Sequence, residues 1–133
     1  MIEDKIVVLI VDDLEGQINT NTDLCELNDC EVITAQSLKE AKVKLDEHQE
    51  TIDFAIVDYK LSNDPSNQDG ALVISYINTR YPKIKTIFIT AYDDEVALHE
   101  FYACKATKYV NKMDGAAPEM LDECIQELIR MIK

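Results

Sequence analysis

The chain has 133 residues, 47% hydrophobic and 29% charged, with three Gly and three Pro, which excludes both a disordered chain and a collagen-like or linker-rich one. The length suits one domain over residues 1–133. A formal charge of −13 argues against direct binding to nucleic acid or to an anionic membrane surface, and favours a cation or a basic protein partner.

Lys5–Val11 is almost wholly apolar and β-branched, the pattern of a strand buried on both faces. Its apolar core, Ile6 to Val11, is too short for a secretory or membrane segment and is bracketed by acids, so a cytoplasmic protein is expected. Leu14–Asn28 reads as a helix with Ile18, Leu24 and Leu27 on its apolar side, followed by a short strand at Glu31–Ala35. Ser37 and Glu40 form a capping box opening a helix to about Gln49, with Leu38, Ala41 and Leu45 on one face. Asp53–Asp58 reads as a third strand.

Residues 59–69 form a polar, turn-rich loop. Gly70 opens a helix that Pro82 stops, at about Tyr81. Lys85–Thr90 is a fourth strand, Asp93–Lys105 a helix capped by Asp93, and Thr107–Val110 a fifth strand. Pro118 opens a last helix with Leu121, Ile125, Leu128 and Ile132 on one stripe. Strands alternating with helices imply an α/β fold with a parallel sheet covered on both faces, that is, a doubly wound arrangement.

Cysteines 25, 30, 104 and 124 contain no CxxC pair and read as reduced, mostly buried thiols, the first two on one helix. His48 and His99 lie near none of them in sequence and read as surface residues.

In such a sheet, sites form beyond the carboxyl ends of the strands. There the sequence places Asp12 and Asp13, Asp58, Thr90 and, after the fifth strand, Lys112. Three carboxylates brought together repel one another, and a hard divalent cation with oxygen ligands relieves that repulsion. A carboxylate is also a competent nucleophile towards phosphorus, and a metal and a lysine suit the charge of a transferring phosphoryl group. Each residue alone says little; together, in this strand order, they point to phosphotransfer.

Through Val7-Val-Leu-Ile-Val-Asp-Asp13, Ala55-Ile-Val-Asp-Tyr59, Ile87-Phe-Ile-Thr-Ala91 and Tyr109-Val-Asn-Lys112, the sequence resembles the receiver domains of two-component response regulators. The resemblance implies the chemotaxis-type, flavodoxin-like (βα)5 fold, with five strands in the order 2-1-3-4-5. It implies Asp58 as phosphoacceptor, with Mg2+ held by Asp13, Asp58 and the backbone carbonyl of Lys60, and Asp12 acting largely through water. Thr90 and Lys112 would contact the phosphoryl oxygens, and Thr90 and Tyr109 would form the switch. The donor implied is a phosphohistidine on a sensor histidine kinase or histidine-phosphotransfer protein. The signal would leave through the face of the fourth helix, fifth strand and fifth helix, carrying Glu95, Glu100, Tyr102 and Lys108, towards an output protein or domain or a second copy. The chain would not be an enzyme beyond self-directed phosphotransfer and autodephosphorylation. It would be a stand-alone regulator or a piece of a longer one.

Three features depart from that pattern. Met113 replaces the proline usual after the lysine; a cis bond before a non-proline residue costs about 3–4 kcal/mol, so a trans Lys112–Met113 bond is expected. The loop after Asp58 is long, carries Leu61-Ser62 in place of the usual Met-Pro, and adds Asp64 and Asp69, so it reads as a solvated, mobile insertion or as a lid or partner-selecting surface. Lys60 and Tyr92 flank the expected route of an attacking water and would set the lifetime of the phosphoryl group. A haloacid-type phosphatase would need an acid two residues after its nucleophile, where Lys60 stands, and a flavin binder would not place acids in its phosphate loop. The remaining rival is a pseudo-receiver of the same fold, never phosphorylated and binding partners constitutively.

Overall fold

The computed structural model describes residues 5–62, 67–90, 95–111 and 117–132, with the backbone alone for 95–98, 100 and 117. Ten elements alternate along the chain: β1 (Ile6–Val11), α1 (Glu15–Leu27), β2 (Cys30–Ala35), α2 (Leu38–His48), β3 (Phe54–Asp58), α3 (Asp69–Arg80), β4 (Lys85–Thr90), α4 (Glu95–Cys104), β5 (Lys108–Asn111) and α5 (Ala117–Ile132). The strands form one parallel sheet in the order β2-β1-β3-β4-β5, as the resemblance implies.

Strand periodicity builds two cores on this sheet. Val7, Leu9 and Val11 of β1, Ala55 and Val57 of β3 and Phe88 of β4 pack with Ala41 and Leu45 of α2, Val73, Ile74 and Ile77 of α3, and Cys104 of α4. The alternate residues, Val8, Ile10, Phe54, Ile56, Ile87 and Ile89, pack with Ile18 and Cys25 of α1 and Leu121, Ile125 and Leu128 of α5. All six residues of β1 are buried, which is why that segment carries no polar alternation. Among the described residues no helix is long and apolar enough to cross a membrane.

The Ser37 cap forms as its sequence indicates: its hydroxyl accepts from the Glu40 N–H at 3.1 Å. The α5 stripe is also realised, with Leu121, Ile125 and Leu128 buried and Ile132 partly so.

Helix α1 differs from the sequence reading. It buries Ile18, Asn21 and Cys25, while Leu27 is 81% exposed. Leu27 lies nine positions after Ile18, and at about 100° per residue that carries it to the opposite side of the helix. Cys25 and Cys30 do not share a helix either, because α1 ends at Leu27 and Cys30 begins β2. Asn28 and Asp29 make the turn between them: their N–H groups donate to the carbonyls of Cys25 and Glu26, with Asp29 at φ 60°, a conformation that Asp tolerates. Cys25, Cys30 and Cys104 are buried, and Cys124 is half-buried. Burial, reinforced by Cys30 and Glu26, pushes the Cys25 thiol up to about 12 and keeps it inert. His99 is exposed, whereas His48 is half-buried at the end of α2. The helix-capping role expected of Asp93 falls outside the described residues.

Candidate functional site

The site begins with strand register. Val11 of β1 pairs with Val57 of β3, so the residues that follow, Asp12 and Asp58, emerge side by side at the carboxyl edge. Carboxylate oxygens of Asp12, Asp13 and Asp58 lie within 4.8 Å of one another. They are the group of potential metal-ligating side chains found among the described residues.

The three acids are held differently. Asp12 is 1% exposed; its N–H extends the β1–β2 ladder to the Ala35 carbonyl at 3.1 Å, and its Oδ1 accepts from the Leu14 N–H at 3.0 Å. That second bond orients the turn into α1, whose N-cap Leu14 has no side chain suited to capping. Asp12 therefore commits one carboxylate oxygen to the backbone. Asp13 and Asp58 are half-buried and reach the sheet edge.

Beyond Asp58 the backbone is tied down. The Tyr59 N–H donates to the Ile89 carbonyl at 2.7 Å, and the Tyr59 carbonyl accepts from the Gly70 N–H at 3.0 Å. Tyr59 and Leu61 are buried, at 3% and 7% exposure. The Lys60 ammonium sits 5.3 Å from the centre of the Tyr59 ring. Asn67 Oδ1 accepts from the N–H groups of both Leu61, at 2.9 Å, and Asp69, at 3.0 Å. The described ends of the loop are thus stapled to the core, and the reading of residues 59–69 as a solvated, mobile insertion is corrected there. Alternating apolar residues and an Asx turn supply the anchoring that composition alone does not reveal. Asp64 falls outside the described residues.

Thr90, fully buried, ends β4 one position past Ile89, the register partner of Asp58. Tyr109 of β5 pairs with Phe88 and stacks on its ring with centroids 6.0 Å apart, while Phe101 of α4 lies 5.1 Å away on another side. Thr90 follows Phe88 by two residues and so leaves the same face of β4. On the neighbouring face Lys108 of β5 is ion-paired with Glu127 of α5, and Tyr102 is 69% exposed. The expectations for Lys112, for the Lys112–Met113 bond and for Tyr92 fall outside the described residues, as do the side chains of Glu95 and Glu100.

Sequence reasoning missed two residues. Gly70 is the second residue of α3, which starts one position earlier than expected, at Asp69, and its contact with the end of β3 went unrecognised; a glycine at the helix entrance just after a site strand is the available signal. Asn67, two residues before a helix start, has the spacing of an Asx turn.

The family model described as "Response regulator receiver domain" matches residues 8–124. The chain belongs to the response regulator receiver domain family. This receiver shares its fold with a response regulator from Thermotoga maritima, at 22% identity and TM-score 0.77, covering 95% of this chain and 98% of that one. A receiver domain protein from Clostridium thermocellum is similar at 24% identity and TM-score 0.79, with 95% of each chain covered. A receiver protein from Pseudoalteromonas atlantica reaches TM-score 0.82 at 14% identity, covering 96% of this chain and 99% of that one. No curated protein sequence matches the receiver significantly.

Proposed function

We propose that this receiver accepts a phosphoryl group from a phosphohistidine onto Asp58 in a Mg2+-dependent reaction, acting in the cytoplasm between a sensor histidine kinase or histidine-phosphotransfer protein and an output protein or domain. The observation that carries the reading is the meeting of Asp12, Asp13 and Asp58 within 4.8 Å at the carboxyl edge of β1 and β3.

The donor set fits a hard cation: carboxylates supply the oxygen ligands that Mg2+ prefers, and their proximity is costly without one. Asp13, Asp58 and the Lys60 carbonyl would hold it, with Asp12 acting through water because one of its oxygens serves the Leu14 N–H. Bound there, Mg2+ offsets the charge of the acids and of the oxygens on the transferring group. An Asp58 carboxylate oxygen bonds to phosphorus as the P–N bond to the donor imidazole breaks, and the imidazole keeps that electron pair and takes up a proton from water. Thr90 and Lys112 contact the phosphoryl oxygens. A Thr90 hydroxyl drawn towards them vacates space beside Phe88, and Tyr109 answers by repacking between Phe88 and Phe101, which reaches α4 and the face with Tyr102 and the Lys108–Glu127 pair. The chain is not an enzyme beyond phosphotransfer to itself and autodephosphorylation.

Incubation with a small-molecule phosphodonor and Mg2+, read by intact mass, tests the reading. Wild type gains one phosphoryl group, and Asp58→Asn or chelation of Mg2+ prevents it. A wild type that gains none overturns the proposal in favour of a pseudo-receiver that binds partners constitutively.

A further inference from the structure

One side-chain oxygen governs the backbone next to the acid cluster. Asn67 Oδ1 accepts from the Leu61 N–H at 2.9 Å and from the Asp69 N–H at 3.0 Å. It thereby joins the chain leaving β3 to the start of α3. Lys60 sits between two fixed groups: the Tyr59 carbonyl is held by the Gly70 N–H at 3.0 Å, and the Leu61 N–H is held by Asn67. The Leu61 side chain, 7% exposed, anchors the far end in the core.

The Leu61 N–H and the Lys60 carbonyl belong to one peptide group. That group is planar and trans, as are the peptide bonds among the described residues, so the two bonds point in opposite directions from a rigid plate. Holding the N–H therefore sets the direction of the carbonyl. In a polar loop the torsions on either side of such a plate are soft, and without an anchor the plate turns.

We infer that Asn67 is a positioning residue for the metal, fixing the Lys60 carbonyl through the shared peptide plane while touching neither cation nor phosphoryl group. The inference rests on the proposed function and adds to it a residue that orients a backbone ligand. Mg2+ demands near-ideal octahedral geometry and draws few ligands from protein, so a wandering carbonyl is costly. Removing groups that orient metal ligands typically weakens affinity about 10–100-fold.

Calorimetric titration of Mg2+ into metal-free protein, with metal-free thermal melts alongside, tests it. Asn67→Ala weakens Mg2+ binding about tenfold or more while the metal-free protein still melts cooperatively. Asn67→Asp, whose carboxylate accepts from the same two N–H groups, restores affinity. The double variant Asn67→Ala/Gln68→Asp carries the same added charge without that acceptor and does not. Should Asn67→Ala fail to fold, Asn67→Ser, with a shorter acceptor, carries the same comparison and shows a smaller loss. The inference is overturned if Asn67→Ala or Asn67→Ser binds Mg2+ like wild type while Asp58→Asn does not, and the proposed function then stands. It is also overturned if the double variant recovers as fully as Asn67→Asp, since charge alone then suffices. A wild type that binds no Mg2+ at all overturns the proposed function and this inference together.

Discussion

A Cβ on Gly70 would stand 1.9 Å from the backbone carbonyl oxygen of Asp58. It would also meet the Tyr59 carbonyl oxygen at 2.6 Å and the Tyr59 Cα at 2.7 Å. All three are backbone atoms, so no flexible side chain can yield. Gly70 does not have positive φ, and room rather than conformational freedom is what it provides. Gly70→Ala must push α3 away from β3 or displace Asp58. Overpacking of this kind costs about 1–3 kcal/mol. The expected outcome is a lower urea midpoint together with slower phosphorylation of Asp58 by a small-molecule donor. An unchanged midpoint would show that α3 starts elsewhere.

Repulsion among the three acids predicts a gain in stability on neutralising one of them. Unit charges about 4 Å apart interact by about 1–4 kcal/mol between the limits of bulk water and protein surface. Asp13 is half-buried, and replacing it by Asn keeps its shape. Asp13→Asn should raise the metal-free melting temperature by a few degrees, less so at high salt, and abolish stabilisation by added Mg2+. Thermal melts with and without Mg2+ at two ionic strengths check both parts.

Phe88 is fully buried, with its ring centre 5.4 Å from that of Tyr59 and 6.0 Å from that of Tyr109. It fills the space between the residue after Asp58 and the proposed switch aromatic. Phe88→Ala should cost about 3–5 kcal/mol, against less than about 0.5 kcal/mol for truncating the exposed Tyr102. Paired urea titrations distinguish them, and equal midpoints would contradict the packing.

Acid and base should loosen the α2–α3 contact from opposite sides. Asp46 accepts hydrogen bonds from the hydroxyls of Tyr81, at 2.5 Å, and Tyr76, at 2.8 Å. These bonds, that from Tyr81 first, hold the Asp46 carboxyl below its ordinary value and raise both tyrosines above theirs. A lowered carboxyl contributes stability above its unfolded value of about 4 and loses it as pH falls through the folded one. The tyrosines contribute below about 10 and lose it as pH rises through their raised values. Tyr81→Phe should therefore lower the melting temperature slightly near neutral pH and flatten both limbs of the profile, with the smallest change at the acid and alkaline extremes. Asp46 is exposed, so the effect is modest and weakens with salt.

Much of the fold was legible because its signals are local or repetitive. The unbroken apolar run of β1 announces a strand covered on both faces, the Ser37–Glu40 spacing places a helix start, and the stripe from Leu121 to Ile132 marks one face of α5. The acid cluster was legible for a different reason: strand ends in a parallel sheet converge whatever their separation along the chain, so Asp12, Asp13 and Asp58 could be brought together on topology alone. What the sequence concealed depends on contacts across the fold. Helix α1 has little amphipathic contrast, so packing against the sheet decides that the side with Ile18, Asn21 and Cys25 goes inside; Leu27, on the opposite side, is then left outside. The same holds for Asn67 and Gly70, whose roles arise from a loop doubling back on the strand it leaves.

The six buried residues of β1 have a second consequence. Ile-Val-Val-Leu-Ile-Val is the kind of uncharged, β-prone window that stacks into cross-β aggregates when a nascent or unfolded chain exposes it. Asp12 and Asp13 close that window on one side, in the flanking position that charged gatekeepers take. The acids proposed to hold a cation thus also safeguard the chain before it has folded, which constrains how freely evolution can neutralise them.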